Sequence, residues 1–460
     1  MSTQSASNAE SAAPLPYSRK EQVGWYFYDW ANSAFSTTVG TVFLGPYVAS
    51  LARAAAGGDG VVRLLGFPIA PDSFLPYCIS ISVLLQVLCR PILGAIADYS
   101  HLRKRMMQLF ATTGAIFTIA MFFVTGGVWW LGGLLFILAN LSFGAAIVFY
   151  NAYLPDIAAP EDRDRVSSAG WAMGYLGGGL LLILNLALYQ LRDQLGIDAG
   201  LVVRINLASA GIWGLGWSSL TWARLRPRHA ARALPPGRGY LSVGFQQLRD
   251  TFREADKYPE TIRYLIAYLI YNDGIQTVIS ISAIFAAAPL IQGGLAIEQG
   301  SLTIVILMIQ FVAFGGALLW GRLAERFGAK QAIVVSLVIW AGVVVYAYVG
   351  LQGENRVTEF MILGAVIAVV LGGSQAISRS LFAQMIPKGK EAEFFSIYEI
   401  SERGTSWIGP IVFGLVNQLT GSLRPAIVSL IVFFTVGLVL LLRVNVGKAI
   451  AEAGNRTAEA

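Results

Sequence analysis

Charged side chains inside apolar stretches are the residues of this chain best placed to do chemistry. Asp29, Arg90, Asp273 and Arg379 each interrupt a long hydrophobic run, and Glu399, Glu402 and Arg403 cluster in another. A charge in hydrocarbon is costly, and it persists where it is paired, faces water or binds something of opposite sign. A carboxylate there can hold an amine or take up a proton. A guanidinium stays charged when buried and grips a carboxylate through two parallel hydrogen bonds. The set therefore holds both signs needed for a zwitterion.

Each of these residues also has a plainer reading. Asp29 or Asp273 could be a structural acid tied to Arg90, Arg379 or a neighbouring Asn. Arg90 precedes Pro91 and could satisfy a carbonyl freed by a proline kink. Glu399 and Arg403, four apart, fit a local ion pair, and Glu402 fits a place near headgroups. Around the charges, Tyr28, Trp30, Asn32, Tyr150, Asn151, Tyr175, Asn272, Gln276 and Gln375 offer hydrogen bonds, either to a solute or between helices. Trp25, Trp129 and Trp130 read as anchors at the membrane interface. Both histidines, His101 and His229, fall between apolar stretches, so proton coupling would have to use carboxylates.

The elements that must position these groups follow from composition. With 460 residues, 55% hydrophobic and only 13% charged, the chain is too apolar for an ordinary soluble protein. A bilayer core of about 30 Å takes roughly 20 apolar residues per helix. Twelve such segments are predicted, at 22–50, 74–97, 106–126, 129–154, 166–191, 201–224, 261–288, 301–324, 330–350, 358–385, 394–419 and 424–443. Lys and Arg concentrate in the loops that share a side with both termini, which places both termini in the cytoplasm. The net charge of +6 reflects this bias and implies no nucleic acid.

The chain divides into a disordered tail (1–20), a six-helix half (21–224), a linker (225–260), a second six-helix half (261–445) and a C-terminal tail (446–460). In the linker, Leu241, Phe245, Leu248 and Phe252 recur at helical spacing, so an amphipathic helix is expected at the inner membrane surface, with Arg249, Arg253 and Lys257 toward water or headgroups. Cys78 and Cys89 lie too far apart on one helix for a disulfide. The halves repeat a loop device 227 residues apart: Gly94 to Asp98, and Gly321 to Glu325, each closing an apolar segment with Gly, three residues and an acid before basic residues. Segments 3, 6, 9 and 12 carry no ionisable residue in their middles, as expected of helices facing lipid around a central cavity. The glycine runs at 174–179 and 372–373 lie within apolar spans and read as close-packing surfaces.

The motifs at 28–35 (YDWANSAF), 166–178 (from Val166-Ser167 to Gly174-Tyr175-Leu176-Gly177-Gly178), 271–277 (YNDGIQT), 372–380 (from Gly372-Gly373-Ser374-Gln375-Ala376 to Arg379-Ser380) and 393–410 (from Glu393-Phe394-Phe395 to Gly409-Pro410) resemble the vacuolar amino-acid effluxer family of fungal autophagy and its bacterial relatives, within the major facilitator superfamily. That resemblance implies an all-α major facilitator fold of twelve transmembrane helices in two pseudo-symmetric six-helix bundles. It also implies that Asp29 and Asp273 sit on symmetry-related segments lining the cavity. Asp98 would meet the N-terminus of segment 11, and Glu325 would meet segment 5, as cytoplasmic latches together with Gly94, Arg103 and Gly321. A longer spacer, Tyr99-Ser100-His101-Leu102, delays the basic cluster after Asp98 relative to the superfamily pattern.

The expected function is secondary or facilitative transport of a small polar solute, an amino acid or related zwitterion, open to proton coupling. Its candidate residues are Asp29, Asn32, Arg90, Tyr150, Asn151, Tyr175, Asn272, Asp273, Gln276, Gln375, Arg379 and Glu399. Efflux of amphiphilic drugs or metabolites and a transporter-like membrane sensor stand as alternatives. No P-loop, metal-ligand set or nucleophile–base pair appears in the spans, so no cofactor or enzymatic activity is expected. The expected partners are a solute, protons and lipids, for a monomer in a bacterial inner membrane.

Overall fold

The computed structural model describes residues 17–158, 163–227, 237–255, 257–386, 398 and 406–454. Among them ten helices are long and apolar enough to cross a membrane, and two shorter apolar helices, Gln299–Ala313 and Ile408–Thr420, lie where segments 8 and 11 were expected. Segment 8 continues as helix to Phe327. The other segments follow the predicted order, beginning with Arg19–Ala55 for segment 1 and Pro71–Tyr99 for segment 2.

Local chemistry sets many of the helix ends. Pro71 and Pro259 open segments 2 and 7, where a missing N–H costs nothing. The Asp198 side chain caps segment 6 by accepting the Leu201 N–H. Gly328, at φ +90°, separates segments 8 and 9 by a turn that an L side chain rarely adopts. Segment 1 holds a surprise in its middle: Phe35–Phe43 is wound as a π-helix. Within it Thr41 Oγ1 donates to the Ser36 carbonyl five residues back, at 3.0 Å.

In the first half, segment 1 packs against segments 5 and 6, segment 2 against 4, and segment 3 against 4 and 6. The second half repeats the plan, with 7 against 12, 8 against 10, and 9 against 10 and 12. The halves meet through segments 1, 2 and 5 on one side and 7, 8 and 11 on the other. One end of the bundle carries a two-stranded antiparallel hairpin between segments 1 and 2, β1 (Val62–Leu64) and β2 (Phe67–Ile69). The other end carries the linker.

The C-terminal tail and the linker both carry helices. The C-terminal tail begins as a docked helix, Val446–Glu452, with Ala449 buried and its N-cap Asn445 accepting the Lys448 N–H. The linker helix forms as Tyr240–Ala255 and packs on segment 2, burying Val243 and leaving Leu241 and Phe245 exposed. Arg249 and Arg253 are exposed, as the amphipathic pattern requires.

A matched pair of buried glutamates closes each half at the linker end. Glu21, in the first turn of segment 1, accepts the backbone N–H of Arg226 at 2.9 Å just beyond segment 6. Glu260, in the first turn of segment 7, accepts the N–H of Asn445 at 3.0 Å just beyond segment 12 and a 2.6 Å bond from Arg263. First helix is thereby tied to last in both halves.

Candidate functional site

The first intramembrane carboxylate sits in an aromatic nest. Trp25, one turn before Asp29, is buried, stacks on Tyr150 of segment 4 at 4.2 Å and donates its indole N–H to the Tyr150 carbonyl at 3.0 Å. This fixes the Tyr150 ring so that its hydroxyl donates to Asp29 Oδ2 at 2.6 Å. Trp25 is therefore part of the site and not an interface anchor. Asp29 is half-buried, and Tyr150 is its one hydrogen-bond donor among the described residues. Neither Arg90, Arg379 nor an Asn is that donor. The Tyr28 hydroxyl and Asn32 Oδ1, on the same helix, are buried atoms with no hydrogen-bond partner among the described residues.

Segment 5 approaches this nest on glycines. A Cβ at Gly170 would lie 2.6 Å from Asp29 Oδ2, and one at Gly174 would lie 2.6 Å from Ser33 Oγ. Gly177 and Gly178 continue the stripe against Trp30 and Thr37, as the close-packing reading of this run requires.

The second half repeats the arrangement with a different emphasis. Asp273 is buried at 1% exposure, and both its oxygens accept the Gly409 N–H, at 3.0 and 3.2 Å. Thr277, one turn on, donates to the Asp273 carbonyl at 2.7 Å and lies 3.4 Å from its carboxylate. A Cβ at Gly409 would meet Thr277 Oγ1 at 2.0 Å and Asp273 Oδ1 at 3.0 Å. Asp29 with Ser33, and Asp273 with Thr277, thus form one repeated motif: an acid, then a hydroxyl four residues later, seated on glycine of the fifth helix of each half, Gly170 and Gly174 in the first and Gly409 in the second.

Gly409 belongs to the first turn of the helix Ile408–Thr420, which follows a turn at Ser406–Trp407. Segment 11 was expected as one helix over 394–419. Its described helix starts well inside that range, and the acid at the first turn of that helix is Asp273; the contact expected of Asp98 with the start of segment 11 falls outside the described residues. A helix N-terminus carries roughly half a positive charge, so an acid there is stabilised by the backbone itself.

The remaining candidates separate by position. Asn272 and Tyr150 are buried like Asp273, while Asn32, Arg90, Asn151, Gln276 and Gln375 are half-buried. Tyr175 and Arg379 are exposed, and Tyr175 lies beside Trp171. Glu399, Glu402 and Arg403 lie outside the described residues.

Of the expected latches, Gly94 has open space where a Cβ would sit, and the side chain of Asp98 and those at 321 and 325 are outside the described residues. Arg103 was expected at a contact between the halves. The structure instead buries it within the first half, where it donates to the carbonyls of Ala97 and Ala152 and pairs with Asp156 at 2.5 Å. Its work is to brace the loop after segment 2 against the end of segment 4.

Three comparisons bear on this geometry. Residues 17–454 match the family model described as vacuole effluxer Atg22 like. The chain is 31% identical to the uncharacterized MFS-type transporter YxiO of Bacillus subtilis, over 92% of this chain and 94% of that one. It is 25% identical to autophagy-related protein 22-1 of Penicillium rubens, over 95% and 92%. Among solved structures, the nucleoside transporter NupG superposes with a TM-score of 0.62 at 15% identity, covering 94% of this chain and 98% of that one. The D-xylose-proton symporter superposes with a TM-score of 0.63 at 13% identity, covering 95% and 98%. The two structural likenesses carry the major facilitator fold with its paired bundles.

Proposed function

The chain belongs to the vacuole effluxer Atg22-like family, and from that premise we propose that it carries an amino acid or related zwitterion between its two halves by alternating access. That it is a transporter of the major facilitator type rests on its relatives and its fold. The solute class rests on the site.

The observation that carries this reading is the repeated carboxylate seat, because its two copies are not equally occupied. Asp273 has both oxygens engaged by a helix N-terminus, so it serves as the anchor that holds segment 11 to segment 7. Asp29 accepts one hydrogen bond from a neutral hydroxyl and keeps capacity for a second donor. It is the group that takes the solute's amine, or a proton in its place. Arg379, exposed on segment 10, supplies the opposite sign for the solute's carboxylate. The linker end, with both termini, faces the cytoplasm, and the protein sits in a bacterial inner membrane.

Uptake of a radiolabelled amino-acid mixture into proteoliposomes tests the assignment. Arg379→Ala is expected to abolish transport while leaving the thermal transition in detergent unchanged. Transport at the parent rate by that variant would remove the carboxylate clamp.

A further inference from the structure

At the hairpin end segments 2 and 11 of the two halves are joined by a seam of uncharged groups, while the one ion pair between the halves there among the described residues, Arg192 with Glu298 at 3.7 Å, lies at the exposed rim between segments 5 and 8. Ser73, in the first turn of segment 2, donates its hydroxyl to the Gly414 carbonyl of segment 11 at 2.8 Å and accepts Asn417 Nδ2 at 2.9 Å. One turn on, the Tyr77 hydroxyl donates to Gln418 Oε1 at 3.0 Å. Gln418 then donates through Nε2 to the Pro68 carbonyl of strand β2 at 3.2 Å.

The spacing makes this a face-to-face seam. Ser73 and Tyr77 are four apart on one helix, and Gly414, Asn417 and Gln418 share one face of the other. Gly414 is what lets the helices close, since a Cβ there would sit 2.7 Å from the Tyr77 ring. Ser73 and Asn417 are buried at 0% and 4% exposure, so the centre of the seam is dry, while Tyr77 and Gln418 form its half-buried rim. Beside it, Ile284 of segment 7 is wedged against Gly45 of segment 1, with Leu75 of segment 2 also touching that position.

We infer that Ser73, Tyr77, Asn417 and Gln418 form the hairpin-end gate of the transport cycle, a neutral hydrogen-bond lock to which the β1–β2 hairpin is strapped through Gln418. This rests on the alternating-access reading above. A lock of neutral bonds suits a gate that must open on every cycle. When the halves part, water replaces each partner at little net cost, whereas separating a buried ion pair would leave uncompensated charge. The hairpin adds reach, because it joins segments 1 and 2 yet touches segment 11, so it must let go or follow when the seam opens.

The test places a reporter cysteine at Ile284 in a Cys78→Ser, Cys89→Ser background and measures its labelling by a membrane-impermeant maleimide added from the hairpin side, without solute. Asn417→Ala, which removes one bond of the seam, is expected to speed labelling roughly 5- to 10-fold, the worth of one net hydrogen bond, and Ser73→Ala, made separately, which removes two, is expected to speed it more. Ser73→Thr, which keeps the hydroxyl, is expected to label near the parent rate. A Ser73→Cys, Asn417→Cys pair is expected to block labelling on oxidation and restore it on reduction. Reporter labelling that occurs but ignores both alanine variants and the cross-link would overturn the gate while leaving alternating access standing. A reporter unlabelled in every background would overturn both, because the hairpin end would then never open.

Discussion

Replacing Gly409 by Ala puts one methyl group where the structure has the least room. The new Cβ would meet Thr277 Oγ1 at 2.0 Å, Thr277 Cβ at 2.9 Å and Asp273 Oδ1 at 3.0 Å. The threonine cannot simply rotate away, because its hydroxyl is bound to the Asp273 carbonyl at 2.7 Å. Either segment 11 retreats and lengthens the bonds from the Gly409 N–H to Asp273, or Thr277 gives up its own bond. Overpacking of this kind costs about 1–3 kcal/mol. Losing a neutral hydrogen bond adds about 1 kcal/mol, and losing one to a carboxylate adds about 1.5–3 kcal/mol. A destabilisation of about 2–4 kcal/mol is therefore expected, with reduced transport because the anchor of segment 11 is displaced.

The double variant Gly409→Ala, Thr277→Ala separates the causes. It removes the 2.0 Å contact and leaves the two near 3 Å, so it should recover about half of the loss, a coupling of about 1–2 kcal/mol between adjacent sites. Unfolding followed by intrinsic fluorescence in detergent reads the four corners of this cycle. Strict additivity, or a Gly409→Ala protein as stable as the parent, would refute the close seating of Asp273 on segment 11.

Other consequences are more local. Gly342 has nothing within 4 Å of a Cβ, so Gly342→Ala should stabilise the helix Ala329–Val349 by about 0.5–1 kcal/mol in the same unfolding assay. Arg424 donates to the carbonyls of Tyr348, Gly350 and Leu351 at the end of segment 9, at 2.7–3.1 Å, and Arg424→Met should cost about 2–3 kcal/mol, with Lys a poor substitute because it lacks the planar fork. Glu260→Ala should release the helix Val446–Glu452, so that limited proteolysis trims the C-terminus at protease levels the parent resists. Glu21→Ala should likewise speed cleavage after segment 6 near Arg226.

Much of this architecture is written in the sequence because the bilayer leaves few choices. Apolar runs of about 20 residues must be helices, and eleven of the predicted segments correspond to helices close to their expected limits. The acid–hydroxyl spacing of Asp29/Ser33 and Asp273/Thr277, identical in two segments, carried no signal of its own in the sequence, because the partners, Gly170 and Gly409, have no side chain to announce themselves. Segment 11 was drawn as one helix because hydropathy over 394–419 does not register the turn at Ser406–Trp407. Trp25 was taken for an interface anchor since a tryptophan a few residues inside a helix start has that signature, and only the fold brings Tyr150 under it. Arg103 sits in a basic cluster, which fits a gate as well as a brace. Ser73 and Asn417 looked like ordinary polar residues near helix ends until the two halves were placed side by side.

The central claim, that Asp29 is the carboxylate that receives an amine or a proton, is tested most directly by counterflow of a radiolabelled amino-acid mixture in proteoliposomes containing the parent or Asp29→Asn protein, with and without an imposed pH gradient. Robust counterflow is expected of the parent and at least a tenfold loss in Asp29→Asn at unchanged thermal stability, because an amide that still accepts the Tyr150 hydroxyl cannot form an ion pair with an amine or be protonated. Parent-like counterflow by Asp29→Asn in both conditions would contradict it.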